Sequence, residues 1–235
     1  MNNIIGNKSL KNHRFFRNII RIIKRMLIQM EHPKNVIFDV DPFLYLKPEE
    51  VLEPPVSIYV NEFCEESVKI FIEDMTKALN TSQPIIPVYI DSYGGDVYAL
   101  MAMIDVIKSS DKPVATICMG KAMSCGAVLL ACGEKGHRYM SQNATVMIHD
   151  VSSFSEGKSE EIKSDAAETE RLQKMFYKIL DKECERKDGY FDKLVFNKGR
   201  SNLYLDAEQC IKHGIADNIS IPKFTIEIVH NITFE

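Results

Sequence analysis

Residues 114–133 read VATICMGKAMSCGAVLLACG, and the fold turns on how this stretch divides. The β-branched run 114–118 reads as a strand reaching Gly120. After a few small residues, the apolar run 127–131 has helical character. Ser124 therefore stands where a strand gives way to a helix. Ala122, Gly126 and Ala127 leave room beside it for a substrate backbone, and the Cys125 N–H, near a helix N-terminus, can face a developing oxyanion. A serine that merely caps a buried helix has the same local signature. Taken alone, the stretch leaves both readings open.

Two further segments bear on the choice. Upstream, residues 87–95 (PVYIDSYGG) form an apolar strand ending in Gly94 and Gly95, whose N–H groups can approach an anion with no Cβ in the way. Downstream, residues 144–150 (ATVMIHD) form a second apolar strand ending on His149, which can take a proton from Ser124 near neutral pH. The three segments together resemble the proteolytic subunits of the Clp protease, ClpP. In that family an INSPGG-type glycine pair, an ASMGA-type serine and an MIHQP-type histidine occur in this order. Here 29 positions lead from Gly95 to Ser124 and 25 from Ser124 to His149, and the similarity extends over about residues 56–220.

The resemblance implies an α/β fold: the spiral of β-β-α units shared by ClpP and the crotonases, with a long protruding handle helix. It also implies acyl transfer, with Ser124 as nucleophile, His149 as base and then acid, and the Gly95 and Cys125 amides as oxyanion hole. Counted through YFDKLVFNKGRSNLYL, the expected third-member aspartate falls on Asn197. An asparagine can accept from an imidazole N–H but cannot balance an imidazolium by charge. Asp192 is the fallback if the count slips. Asp150, next to His149, points to the opposite face of the strand and reads as structural. Tyr93 replaces the family's proline before the glycines, and Asp150-Val151 replaces its Gln-Pro after the histidine, so the peptide preference stays open.

Composition narrows the alternatives. A chain of 235 residues with 45% apolar content can bury a sizeable core. Its net charge of −4 gives no general argument for nucleic acid or membrane as a partner. Six scattered cysteines without CxxC pairs suit free thiols in a reducing compartment, which places the protein in the cytoplasm. The histidines show no metal-ligand spacing, so no metal is expected. Gly157-Lys158-Ser159 is no phosphate-binding loop, because position 152, where its first glycine belongs, is serine; no cofactor is expected either.

Residues 1–31 carry Lys8, Lys11, Arg14, Arg17, Arg21, Lys24 and Arg25, with no acid before Glu31 and apolar residues at helical spacing. They read as a basic amphipathic extension: a propeptide or docking helix, or a presequence directing the chain to an organelle matrix. Residues 32–55, with Pro42, Pro48, Pro54 and Pro55, read as a lead-in to a peptidase domain over 56–235. From residue 56 strands alternate with helices, as in a mostly parallel sheet. The periodicity then predicts a long helix over 160–186, striped by Leu172, Met175, Phe176, Ile179 and Leu180. Core packing explains that stripe; the resemblance makes it partly an interface between rings. Asp206 with Gln209 reads as a cap on a short helix ended by Gly214, and 224–229 alternates like an edge strand.

The resemblance further implies homo- or hetero-oligomeric rings (stacked heptamers), an AAA+ unfoldase ATPase as partner and unfolded proteins as substrates. A catalytically impaired ring subunit is a competing reading. A crotonase-like acyl-CoA enzyme is another, and the serine and histidine segments argue against it.

Overall fold

The computed structural model describes residues 54–223. The amphipathic extension, most of the lead-in and the strand expected at 224–229 lie outside the described residues.

Two strands form the centre: β2 (Ile86–Ser92) and β3 (Val114–Met123) pair in parallel, with Ile86 opposite Val114 and Ile90 opposite Cys118. Both are apolar on both faces, as a sheet covered on both sides requires. β1 (Ile58–Val60) joins the free edge of β2 in parallel, Ile58 opposite Val88. Past Cys118 the register slips, and Ser92 next faces Ala122. This irregularity, with Gly120 at φ +154°, lets β3 change neighbours. Its first half pairs β4 (Arg138–Met140); its last three residues pair β5 (Thr145–Ile148), Met123 opposite Met147. β6 (Leu203–Leu205) runs antiparallel to β5, and β7 (Asn218–Ile219) extends the sheet beyond β4.

The helices follow the expected alternation. α1 (Glu65–Asn80) buries Phe71, Met75 and Ala78, and α2 (Val97–Ser109) starts where the Asp96 carboxylate accepts from the Ala99 N–H. α3 (Cys125–Ala131) is buried along its whole length. A helix enclosed on every side must be apolar throughout, and the sequence AVLLAC meets that demand.

α4 (Ser159–Glu183) is the long helix, ending three residues before the expected boundary. Its first turns are exposed from residue 159 to 167, whereas Leu172, Phe176 and Leu180 sink into the protein. Those three residues of the stripe serve this chain's own core. α5 (Tyr190–Asn197) falls in a segment to which periodicity assigns no element. Its start depends on a distant side chain: Asp181, 1% exposed, accepts from the N–H groups of Gly189, Tyr190 and Phe191 at 2.7, 3.2 and 3.0 Å. α6 (Ala207–His213) carries the expected capping box, Asp206 with Gln209, and ends at Gly214 with φ +78°. All six cysteines are free thiols, and all but Cys64 are buried.

Candidate active site

Parallel strands bring their C-terminal ends to one edge, where α/β sheets place ligands. Three of them deliver the glycine pair after β2, Ser124 after β3 and His149 after β5 to the same edge.

Ser124 occupies φ 53°, ψ −118°, a strained conformation for a residue with a Cβ that costs on the order of 1–3 kcal/mol. The strain is held by neighbours on both sides. Its N–H donates to the Met147 carbonyl at 2.8 Å, and its own carbonyl accepts from Ala127 at 3.0 Å in the first turn of α3. The chain thus turns sharply from strand to buried helix, with the half-buried serine at the apex. An elbow of this kind is a geometry that can present a nucleophile. The serine that only caps a helix is not what the backbone shows, since no side-chain capping bond is made.

The glycines divide their work. A Cβ on Gly94 would lie 2.7 Å from the Ser124 Cβ, so Gly94 is the one against the serine. A Cβ on Gly95 would lie 2.4 Å from the Phe63 carbonyl oxygen, on the far side of the turn. The Gly94 N–H donates to Ser92 Oγ at 3.0 Å. The Gly95 N–H meets no acceptor among the described residues, and the Cys125 N–H, first in α3, has none within its helix. The Cys125 thiol is turned inward toward the Gly95 carbonyl at 3.3 Å, and burial pushes it up to about 11, so it is no rival thiolate.

His149 lies one residue past β5, half-buried. Burial lowers its pKa below 6.5, and the neighbouring Asp150 carboxylate offsets part of that. The neutral imidazole is the form a general base needs. No hydrogen bond joins His149 to Ser124, to Asn197 or to Asn202 in the structure.

Asn197 is exposed at the last position of α5. Asp192 is committed to Arg200, 2.6 Å from its Nη1. The residue brought beside His149 is another. Val146, Met147 and Ile148 face Leu205, Tyr204 and Leu203 across the β5–β6 ladder, and carrying that register one residue further sets His149 opposite Asn202. Directly opposed residues share a face, with Cα atoms about 5 Å apart. The register thus points to Asn202, five positions beyond the Asn197 that the count selects. Anchoring the count on the Asp206 cap and the LYL strand, rather than on the helix before them, would have found Asn202. Asp150 accepts from the Tyr177 hydroxyl at 2.7 Å and pairs with Arg200 at 3.2 Å.

A family model for Clp protease matches residues 56–223. The ATP-dependent Clp protease proteolytic subunit of Carsonella ruddii is 30% identical over 169 residues, covering 71% of this chain and 84% of that protein. The subunit of the same name from Deinococcus radiodurans is 34% identical over 134 residues, covering 57% of this chain and 64% of its own. The matched region holds all seven strands of the described residues, the glycine turn, the serine elbow and the histidine just past β5, so that sequence likeness and architecture agree: this chain belongs to the Clp protease family and is a peptidase.

Proposed function

We propose that the chain is a serine endopeptidase in which Ser124 is the nucleophile, His149 the general base and then acid, and Asn202 the residue that orients His149. Ser124 Oγ attacks the peptide carbonyl carbon while His149 takes its proton. The carbonyl oxygen becomes an oxyanion, held by the Cys125 N–H and an N–H of the Gly94–Gly95 turn. Collapse breaks the C–N bond, His149 gives its proton to the leaving amine, and water repeats the sequence to free the acyl group.

With an amide at the third position, the imidazolium has no directly opposed carboxylate. Asn202 can still fix the tautomer. Its Nδ2 reaches the Tyr204 hydroxyl at 3.5 Å, a long contact that leaves Oδ1 to accept from the His149 Nδ1–H. Asp150, one residue from His149, supplies part of the missing negative field. The observation that carries this reading is the Ser124 elbow, strained and anchored on β5, the strand that leads into His149. Membership of the family and the names of its relatives support assembly into rings served by a Clp-type ATPase that feeds unfolded chains to the site.

Treatment of the full-length protein with a fluorophosphonate tests the chemistry. Covalent labelling at Ser124, abolished in Ser124→Ala, is the expected result. Absence of labelling in assembled protein returns the reading of a structural ring subunit. Sedimentation at micromolar concentration tests the assembly, which a monomer would contradict.

A further inference from the structure

Three elements meet at the carboxylate of Asp150, the residue directly after His149. Tyr177 of α4 donates its hydroxyl to Asp150 Oδ1 at 2.7 Å, and Arg200 Nη1 lies 3.2 Å from the same oxygen. That guanidinium nitrogen is also 2.6 Å from Asp192 Oδ1 of α5, and the Arg200 side chain lies over the Phe196 ring, 5.2 Å from its centroid. Arg200 thus ties the end of β5 to α5 and the segment leading into β6, while Tyr177 ties the same carboxylate to α4. Two residues after it comes Asn202. The ion pair therefore brackets the His149–Asn202 pair from just outside the ladder.

The backbone at Arg200 indicates what the position keeps. Its φ is +59°, following Gly199 at +68°, a left-handed conformation that glycine takes without a steric cost. The ion pairs do not compensate through stability. The Arg200 side chain is 39% exposed and that of Asp150 28%, and pairs so open to water contribute little. The turn belongs to the end of α5, where the Arg200 N–H donates to the Val195 carbonyl at 3.1 Å, and it delivers the Arg200 side chain to Asp150 and Asp192.

We infer that Arg200 is a positioning residue: through Asp150 it holds the end of β5 against the lead-in to β6, so that His149 meets Ser124 and Asn202 at reacting distance. The role rests on the reading of Ser124 and His149 as nucleophile and base. The charged groups that meet at Asp150 are Arg200 and, through it, Asp192, with the Tyr177 hydroxyl kept protonated by burial and by its bond to Asp150; of these charges, Asp150 is the one that acts on the His149 ring. Losing Arg200 and losing the Asp150 charge therefore have opposed effects on the imidazole. Without Arg200, the Asp150 carboxylate stands uncompensated and raises the His149 pKa further. Without the Asp150 charge, burial acts unopposed and lowers it.

Three variants of the full-length protein test this: Arg200→Gly, whose backbone suits the site, Asp150→Asn, and Arg200→Lys as the conservative partner. Two readouts are taken, the rate of fluorophosphonate labelling at Ser124 and the titration of the His149 ring by NMR of histidine-labelled protein. Arg200→Gly and Asp150→Asn should each slow labelling at pH 7 by about 10- to 100-fold, the effect of a small misplacement of reacting groups. The His149 titration should move up in the first and down in the second, and Arg200→Lys should recover part of the rate with a titration near wild type. Any other pattern overturns the inference, including slow labelling with both titrations unmoved, which would mark a merely structural role. Should wild type itself not label at Ser124, the serine-peptidase reading fails, while the opposed titrations still decide whether the tie acts on His149.

Discussion

Gly94 and Ser124 are in such close apposition that a Cβ on the glycine would lie 2.7 Å from the serine Cβ and 2.9 Å from the Met123 carbonyl oxygen. The turn after β2 and the elbow after β3 touch through the one residue type that permits it. Neither neighbour can yield, because Met123 is in the β5 ladder and Ser124 is pinned on Met147. Gly94 also sits at φ +103°, a region that alanine avoids. Gly94→Ala is therefore expected to push the elbow out of line and slow labelling at Ser124 by about 100-fold. Active-site titration with a fluorophosphonate checks it, with sedimentation showing the particle unchanged; labelling at the wild-type rate would refute the close approach.

The depressed pKa of His149 has a sign in both activity and stability. Burial favours the neutral ring, so the acid limb of kcat/KM on a fluorogenic peptide should lie below pH 6.5. In stability, the unfolded imidazole binds its proton first as pH falls. The contribution of His149 is thus complete above the unfolded value, about 6.5, and is lost as pH falls through the lower folded value. Comparing denaturation of wild type and His149→Gln across pH 5–8 isolates it. An acid limb above 6.5 would mean that Asp150, not burial, controls the ring.

The two asparagines give opposite expectations. Asn202→Asp places a carboxylate opposite His149, stabilises the imidazolium of the transition state and should raise peptide cleavage by roughly 10- to 100-fold, about 1–3 kcal/mol. It should also move the acid limb to higher pH. Asn197→Asp, exposed at the end of α5, should do neither. A gain confined to Asn197→Asp would restore the unshifted count.

Asp181 is expected to matter for stability rather than chemistry. Its buried carboxylate satisfies three N–H groups at the start of α5. Asp181→Ala leaves those donors unpaired, at a cost of about 3 kcal/mol in chemical denaturation. Activity should fall too, because α5 carries Asp192, a partner of Arg200. A change under about 1 kcal/mol would show that water replaces the carboxylate at no penalty.

What this chain's sequence determined by itself is local. Strand and helix alternation, the Ser124 junction, the glycine turn and the Asp206–Gln209 cap are each written within a few consecutive residues, because backbone propensity and capping act over a turn or less. The buried α3 was legible for the same reason: a helix enclosed on all sides has no polar face to obscure. The tertiary structure alone decided the rest. β6 is three residues long, too short to show a period, and exists because β5 offers it an edge; only that pairing sets Asn202, not Asn197, opposite His149. α5 begins where it does because Asp181, on another helix, supplies the acceptors its first turn lacks. Arg200 finds its partners, Asp150 and Asp192, on two other elements. Such contacts join residues far apart in the chain, and no local pattern records them.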